Sequence, residues 1–383
     1  MSENIQTTTP APAPSKHAVP TNRIFMLPME IAAKLIPLHA SLHAGLQSIL
    51  RLRNQTQLPG DLGELLRFGV PTVSHVKSDG PILLTTEIIF NRTYDPFVVK
   101  LDAHSGQALE LLAQLPKSAL ETEPQYAPIV EIMRNKIGLR RVPLTMIRRP
   151  NGSVRYPHLA ATLEQHGISV AHQTLREAVE MQDSLPFLLD HPIFQGSAKR
   201  QRALLEHSHR IIDPHVMLSS QHALAILANT EERQAVEHAL LQHGEIDKAT
   251  LDQLRQYIPR MYSIRPGVCF REFPISILKY ARPFERSPTV EQSPRMVSTQ
   301  SYVTSPEILE TTVSGQPYRY VAQEHIPPAM RRLPDTEGTI APRRFRLIAI
   351  SYGGEILACF CIVEIVDAVE QSPRHIGISV YVT

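Results

Sequence analysis

The stretch LAATLEQHGISVAHQTLREAV, at residues 159–179, decides how the middle of this chain is interpreted. Its first half has the apolar spacing of a short amphipathic helix that ends at Gly167, and glycine readily adopts the left-handed conformation that stops a helix. Val170 follows three residues after this glycine, and Leu175 follows five residues later. The pattern predicts a helix-turn-helix over residues 156–181, in which both apolar residues anchor the second helix to the core.

The second helix of that motif would present a polar face to the major groove of DNA. Gln173 can hydrogen-bond adenine with both side-chain atoms, and Arg176 can reach guanine or phosphate. His172 can donate a hydrogen bond or stack on a base. Ser169 and Thr174 would meet phosphate near the helix N-terminus, where free N–H groups and the helix dipole favour anions. We expect these five residues to contact DNA.

Basic residues are concentrated beside this segment, although the whole chain has a net charge of only +2. Residues 134–155 contain seven basic side chains and no acidic one, and such clusters neutralise DNA phosphates. The residues predicted to bind phosphate are Arg148, Arg149, Arg155, Lys199 and Arg200. The alternative is a pair of helices that touches no DNA, with the arginines on an ordinary solvated turn.

The spacing in residues 159–179 resembles the central helix-turn-helix of ParB-type partition proteins, and is most similar to that of the ParB-like proteins of integrating conjugative elements. The shared pattern is a Leu-Ala pair, a glycine, a valine and a further aliphatic residue at fixed distances. The matching residues are Leu159, Ala160, Gly167, Val170 and Leu175. The resemblance continues through the apolar run at 185–189 and leaves most of the chain unmatched.

This resemblance implies a DNA-binding protein that acts in the partition or maintenance of a plasmid or an integrating conjugative element. The implied partners are double-stranded DNA, a second copy of the chain in a homodimer, and a ParA-type ATPase. Partition proteins that bind CTP carry a G-x-R-R-type box, whereas residues 102–107 (DAHSGQ) lack those arginines. No bound nucleotide is therefore predicted.

The composition and the positions of proline, glycine and other turn residues predict an α+β fold that is divided into successive segments. Residues 1–22 are rich in Thr, Pro and Ala, as in disordered tails, and residues 287–306 have the composition of a linker. The predicted segments are a disordered tail at 1–22, an α+β domain at 23–120, a helical DNA-binding domain at 121–282, a linker at 283–306, and a strand-rich domain for dimerisation or ligand binding at 307–383.

Several elements follow from local periodicity. The predicted helices include 28–53, which Pro37 should bend or split, and 107–115. The predicted strands are 82–90, 97–101, 345–350, 356–366 and 376–382. The sequence Ser351-Tyr352-Gly353-Gly354 predicts a tight hairpin. The strand at 376–382 is expected to be an exposed edge that pairs with a twin in a homodimer.

The sequence offers little support for catalysis or a metal. It contains no G-x-S-x-G, no G-x-x-x-x-G-K-[ST] and no G-x-G-x-x-G, the motifs of serine hydrolases, P-loops and Rossmann sites. Between His207 and His215, a segment that also contains His209, Asp213 is the only acid, whereas metal sites usually add cysteine or carboxylate at close spacing. We expect no catalytic residue, no metal and no other cofactor.

Three cysteines, no long apolar run and no signal-peptide pattern predict a cytoplasmic protein without a membrane span. Cys359 and Cys361 lie two apart in a predicted strand and suit two buried thiols. Two other functions fit the same patterns: a transcriptional regulator with a C-terminal small-molecule-sensing domain, and an enzyme or effector in which the central helices are only scaffold. Affinity for DNA that falls steeply with salt would exclude the last of these.

Overall fold

The computed structural model describes residues 19–53, 55, 58, 62–63, 66, 80–102, 106–115, 126–137, 142–148, 154, 156–180, 185–187, 221–228, 234–263, 276–280, 302–304, 320–334, 339–366 and 373–382. Helices and strands are both present in these residues, in agreement with the mixed composition predicted from the sequence.

The helices and strands lie in these residues as follows. The helices are α1 (Met29–Arg53), α2 (Gly106–Gln114), α3 (Ala127–Ile137), α4 (Pro157–Gln165), α5 (Leu175–Glu180), α6 (Gln221–Leu227), α7 (Gln234–Gln242) and α8 (Lys248–Tyr257). The strands are β1 (Val19–Leu27), β2 (Leu83–Phe90), β3 (Pro96–Asp102), β4 (Leu144–Ile147), β5 (Val170–Gln173), β6 (Leu185–Phe187), β7 (Met261–Ser263), β8 (Ser276–Tyr280), β9 (Tyr302–Thr304), β10 (Tyr320–Glu324), β11 (Met330–Pro334), β12 (Ile340–Tyr352), β13 (Glu355–Val366) and β14 (Pro373–Val382).

One large sheet joins strands from both ends of the chain. Its order is β1-β14-β13-β12-β2-β3, and β11 also pairs with β12. The pairing of β1 with β14 is parallel, whereas the other pairs are antiparallel. The sheet therefore unites strands that the sequence assigned to separate domains at 23–120 and 307–383, so the prediction of a separate C-terminal domain is corrected.

The same topology corrects two further expectations. β14 has β13 on one edge and β1 on the other, so residues 376–382 are not an exposed edge for pairing with a twin. β1 begins at Val19, so the predicted tail at 1–22 overlaps a strand. Both errors have the same cause. β1 and its partner β14 are far apart in the sequence, and no local pattern predicts their pairing.

Both faces of the large sheet are covered, because β12 points apolar side chains to one face and to the other in alternation. Phe345, Leu347 and Ala349 belong to a core that includes α1, α6, α7 and α8, whereas Ile348 and Ile350 belong to a second core with α2, α3 and α4. Successive residues of a strand point to opposite faces, so an unbroken apolar strand needs cover on both sides. Cys361 is buried in the first core and Cys359 is half-buried against it, so the two thiols share one face as predicted, but only Cys361 is buried.

α1 is the main helix of the first core, and a buried histidine ties it to the sheet. The His39 ring is fully buried, which lowers its pKa to about 4 and keeps it neutral. Its Nδ1–H donates to the Leu35 carbonyl at 2.9 Å, and the Thr86 hydroxyl of β2 donates to its Nε2 at 2.8 Å. Pro37 lies inside α1, which is one continuous helix and is not split there.

The hairpin between β12 and β13 confirms the predicted tight turn. Gly353 and Gly354 have φ angles of 61° and 90°, and a two-residue turn with positive φ at both positions matches the twist of the strands that it joins. A Cβ on Gly354 would lie 3.0 Å from the Cα of Ala40. The second glycine is therefore required by the approach of α1 as well as by its backbone conformation.

A second, four-stranded sheet has the order β7-β10-β8-β9. Its strand β9 (Tyr302–Thr304) lies within residues 283–306, which the sequence predicted to be a linker. Within the described part of the chain, no helix is long and apolar enough to cross a membrane.

Candidate nucleic-acid interface

The segment predicted as a helix-turn-helix begins as expected and then departs from that motif. α4 ends at Gln165, and Gly167 has a φ of 79°, which is the left-handed turn that the sequence predicted. The next element is strand β5 (Val170–Gln173), where the second helix was expected. The recognition-helix prediction at residues 156–181 is therefore wrong.

Pairing with β4 explains why this segment is a strand. The Leu144 N–H donates to the Ser169 carbonyl at 2.8 Å, and the Arg148 N–H donates to the Gln173 carbonyl at 2.7 Å. All four residues of β4 are buried, so β5 gains backbone partners beside the core, which a short isolated helix would lack. β6 pairs in parallel with the other edge of β4, so residues 121–282 are not purely helical.

The helix that follows β5 starts later than the sequence suggested. The Thr174 N–H donates to Glu177 Oε2 at 2.7 Å, and the Glu177 N–H donates to the Thr174 hydroxyl at 3.3 Å. This reciprocal pair is a capping box, which fixes the first turn of a helix. α5 therefore begins at Leu175, and the hydroxyl expected to bind phosphate already caps the helix.

A carboxylate also occupies the start of α4. Glu110 of α2 accepts hydrogen bonds from the backbone N–H groups of His158 at 3.1 Å and of Leu159 at 2.8 Å. These N–H groups would otherwise be open to an anion. The N-terminus of α4, where phosphate would approach, is therefore already occupied by a carboxylate of the same chain.

The residues predicted to contact bases are not gathered on one exposed surface. Gln173 is 8% exposed, so its side chain is turned into the protein. His172 is half-buried, and burial followed by the charge of Arg148 lowers the pKa of its ring. Ser169 and Thr174 are exposed, but they flank opposite ends of β5.

Arg148 and Arg176, which were predicted to contact DNA, are both exposed. Arg176 Nε lies 2.8 Å from Glu180 Oε1 on the same short helix. Arg148 follows β4, where the parallel pairing places it beside Gln173. The remaining predicted residues, which lie outside the described residues, are Arg149, Arg155, Lys199 and Arg200.

A different cluster of arginines lies on β11 and the first part of β12. Residues 340–344 precede the stretches of β12 that pair with β13 and with β2, and they pair with β11. We call these five antiparallel residue pairs, Met330–Pro334 with 340–344, the arginine ribbon. Its paired positions hold four arginines and no acidic residue.

The inner face of the arginine ribbon is fixed to the body of the protein. The Arg331 guanidinium lies 4.8 Å from the centroid of the Phe25 ring, and its Nη1 donates to the Met26 carbonyl at 3.1 Å. Arg343 Nε donates to the Leu333 carbonyl at 3.1 Å. These two arginines hold the ribbon in place and are half-buried.

The outer face carries exposed arginines and apolar side chains. In the register of the ribbon, Arg344 is opposite Met330 and Arg332 is opposite Pro342, and all four residues are exposed. Neither Arg332 nor Arg344 has a side-chain hydrogen bond or ion pair in the part of the chain that the structure describes. Diagonal neighbours on one face of such a ladder lie about 7–8 Å apart.

A third exposed arginine lies at the same end of the sheet. Arg92 is in the β2–β3 turn, where the Asn91 side chain accepts hydrogen bonds from two backbone N–H groups. The Tyr94 hydroxyl of that turn donates to the Met330 carbonyl at 3.5 Å. Next to it, the Ala329 N–H donates to the Phe90 carbonyl at 2.7 Å. The turn therefore lies against the base of the arginine ribbon.

Two pairs of arginines in the sequence are the signal that points to this site. Arg331-Arg332 and Arg343-Arg344 are two arginine pairs on either side of Gly338, a residue type that favours turns. The predicted strand began at Phe345, so the second pair was not placed on a strand. The tertiary pairing with β11 extends β12 back to Ile340.

The metal site and the reactive cysteine are two further kinds of chemistry to consider. No three His, Cys, Asp or Glu side chains there are grouped to hold a metal ion, and the histidines at 207, 209 and 215 lie outside those residues. Burial raises the pKa of the Cys359 thiol to about 12, so it is protonated at neutral pH and suits a core residue. Comparison with known proteins found no matching family model and no matching curated protein.

Proposed function

We propose that this protein binds double-stranded DNA through the outer face of the arginine ribbon. The observation that carries the proposal is the exposure of Arg332 and Arg344, without partners among the described residues, on one face of a two-stranded ribbon. Guanidinium groups bind phosphate in a fork geometry, and phosphate contacts provide most of the affinity of proteins for DNA.

The distribution of charge supports a polyanionic partner. Residues 330–346 contain five arginines and two acids, while the whole chain has a net charge of only +2. Arg332 and Arg344 are diagonal neighbours on the outer face of the ribbon, opposite Pro342 and Met330, so a bound anion would offset the repulsion between their charges. Arg92 adds to the charge at this end of the sheet.

The shape of the arginine ribbon also suits a duplex. Two-stranded β-ribbons bind duplex DNA through either its major or its minor groove. Strand pairs used in this way present alternate side chains to the groove. Arg332, Pro342 and Arg344 are such alternate positions on the outer face.

The partition role implied by the family resemblance depended on a second helix at residues 170–175. Because β5 occupies most of that segment, the proposal retains DNA binding alone. It includes no ParA-type partner and no CTP-driven step.

A salt titration of DNA affinity tests the proposal. Fluorescence anisotropy would measure binding of a labelled duplex between about 50 and 200 mM NaCl. The double variant Arg332→Ala, Arg344→Ala should bind about 10–100-fold more weakly, and the slope of log affinity against log salt should fall by about 2, because each phosphate contact contributes about 0.9.

The matched control removes the same charge from the surface predicted by the sequence. The variant Arg148→Ala, Arg176→Ala should keep the wild-type affinity and slope. If instead the ribbon variant binds like the wild type while the control weakens, the DNA contact lies near α5 and the proposal is wrong. Absence of salt-dependent binding by the wild type would exclude DNA binding altogether.

A further inference from the structure

The outer face of the arginine ribbon also exposes apolar side chains that no described element covers. Ile340 is 60% exposed and Met330 is 49% exposed, and Pro342 is exposed between them. Single exposed apolar residues are normal on a protein surface. Here, however, they occupy the same face of the same two strands as Arg332 and Arg344, so one partner would meet both kinds of side chain.

The order of these residues along the arginine ribbon is informative. Moving away from the large sheet, the register runs from Arg344 with Met330, through Arg332 with Pro342, to Ile340 with Pro334. Same-face positions on a strand are about 6.6–6.8 Å apart. The two arginines therefore lie nearer the large sheet, and Ile340 belongs to the outermost described pair of the ribbon.

From this arrangement, and resting on the proposed DNA binding, we infer that Ile340 is a wedge that enters between base pairs and bends the duplex. Proteins that kink DNA insert apolar side chains such as Ile, Met or Pro between base steps. Arg332 and Arg344 hold the phosphates on the near side, and Pro342 stiffens the strand beneath the wedge because its φ is fixed.

Charge favours DNA over a second copy of the chain as the occupant of this face. A two-fold contact brings the same patch of both molecules together, so the arginines of one copy would lie against the same positively charged patch of the other. Such a juxtaposition of like charges opposes association. A duplex instead offers phosphates to the arginines and stacked bases to Ile340.

The wedge predicts which DNA should bind best. Unstacking a base step costs free energy, and the cost is smallest where the duplex is mismatched or the step is flexible. The wild-type protein should therefore bind a duplex with a central mismatch at least about fivefold more tightly than the intact duplex. The same side chain should shorten the distance between the ends of a bound duplex.

The experiment combines affinity with bending. A duplex of about 30 base pairs, labelled at both ends for energy transfer, would be titrated with the wild type, with Ile340→Ala and with Ile36→Ala. Ile36 is 64% exposed on α1 and is the matched control. We expect Ile340→Ala to bind without bending and to lose the preference for the mismatched duplex, while Ile36→Ala behaves like the wild type.

Several results would overturn the inference. If Ile340→Ala bends the duplex as the wild type does, or if the wild type binds with a normal salt slope but bends nothing, the wedge is wrong while DNA binding stands. If the wild type does not bind DNA, the proposed function itself fails. Binding to vesicles with phosphatidylserine that depends on Ile340, or a dimer that dissociates in Ile340→Ala, would assign the surface to a membrane or to a second copy.

Discussion

Arg331 and Arg343 lie directly opposite each other across the two strands of the arginine ribbon. Like charges at opposed positions destabilise a sheet, yet both side chains have local partners. Arg331 lies over the Phe25 ring and donates to the Met26 carbonyl, and Arg343 donates to the Leu333 carbonyl. These local contacts keep the two arginines in place despite the repulsion between their charges.

A double-mutant cycle should reveal this repulsion. The free energy of unfolding, measured by urea denaturation, should fall by about 1–2 kcal/mol in Arg331→Ala because an aromatic contact and a charged hydrogen bond are lost. The double variant with Arg343→Ala should lose about 0.2–1 kcal/mol more than the sum of the single losses, since each single change also relieves the repulsion.

High salt is the control for this cycle. Screening shortens the range of the repulsion, so the extra loss should shrink near 1 M NaCl. The variant Arg331→Lys keeps the charge and should keep the coupling with Arg343. Strict additivity at low salt would show that the two guanidinium groups do not interact.

The buried ring of His39 should make stability depend on pH. Its pKa is about 4 in the folded protein, against an ordinary value of 6.5. The unfolded chain therefore binds a proton that the folded protein excludes as pH falls from 6.5 towards 4. Stability from this group is complete above about pH 6.5 and declines by about 3 kcal/mol across that window.

Comparison with His39→Gln isolates the contribution of this ring. Urea denaturation at several pH values should show a shallower loss of stability in the variant between pH 6.5 and 4. Carboxylates whose pKa is lowered, such as Asp95 and Glu237, contribute to both proteins and cancel in the difference. Parallel curves for the two proteins would mean that the ring is solvated and titrates normally.

The Thr174 hydroxyl has two possible roles, as the cap of α5 or as a phosphate ligand, and one substitution distinguishes them. Thr174→Ala should lower the free energy of unfolding by about 1 kcal/mol, because the first turn of α5 loses its cap. Affinity for DNA, measured by anisotropy, should remain within about twofold of the wild type, since the hydroxyl is not expected to meet phosphate. Thr174→Ser should preserve both properties; a loss of DNA affinity in Thr174→Ala at unchanged stability would restore the phosphate contact.

Elements decided by local sequence could be predicted. The leucines of α1 repeat with helical spacing, and Gly353-Gly354 are the residues that a two-residue hairpin needs, so both were expected and both are present. β2 and β3 are rich in β-branched residues and lie close to their predicted bounds. In each case the residues that decide the structure are neighbours in the chain.

Elements whose conformation depends on partners far away in the sequence could not be predicted. Val170-Ala171-His172-Gln173 is too short to show a period, and its extended conformation comes from β4, which lies on the other side of α4 in the sequence. The candidate site has the same origin, because Arg331 and Arg332 become part of a ribbon only through the register of β11 with β12. The sequence showed basic residues in both places, but only the pairing indicates which of them share a face.

The parallel pairing of β1 with β14 has a consequence for synthesis on the ribosome. Val19 emerges long before its partner Ile376, which follows 357 residues later in the chain. At about 5–20 residues per second, the first strand waits roughly 20–70 seconds for the strand beside it. The apolar residues Phe25 and Leu27, which end up buried, are without that neighbour throughout this interval. The nascent chain therefore exposes the pairing edge of its first strand until translation has supplied the partner.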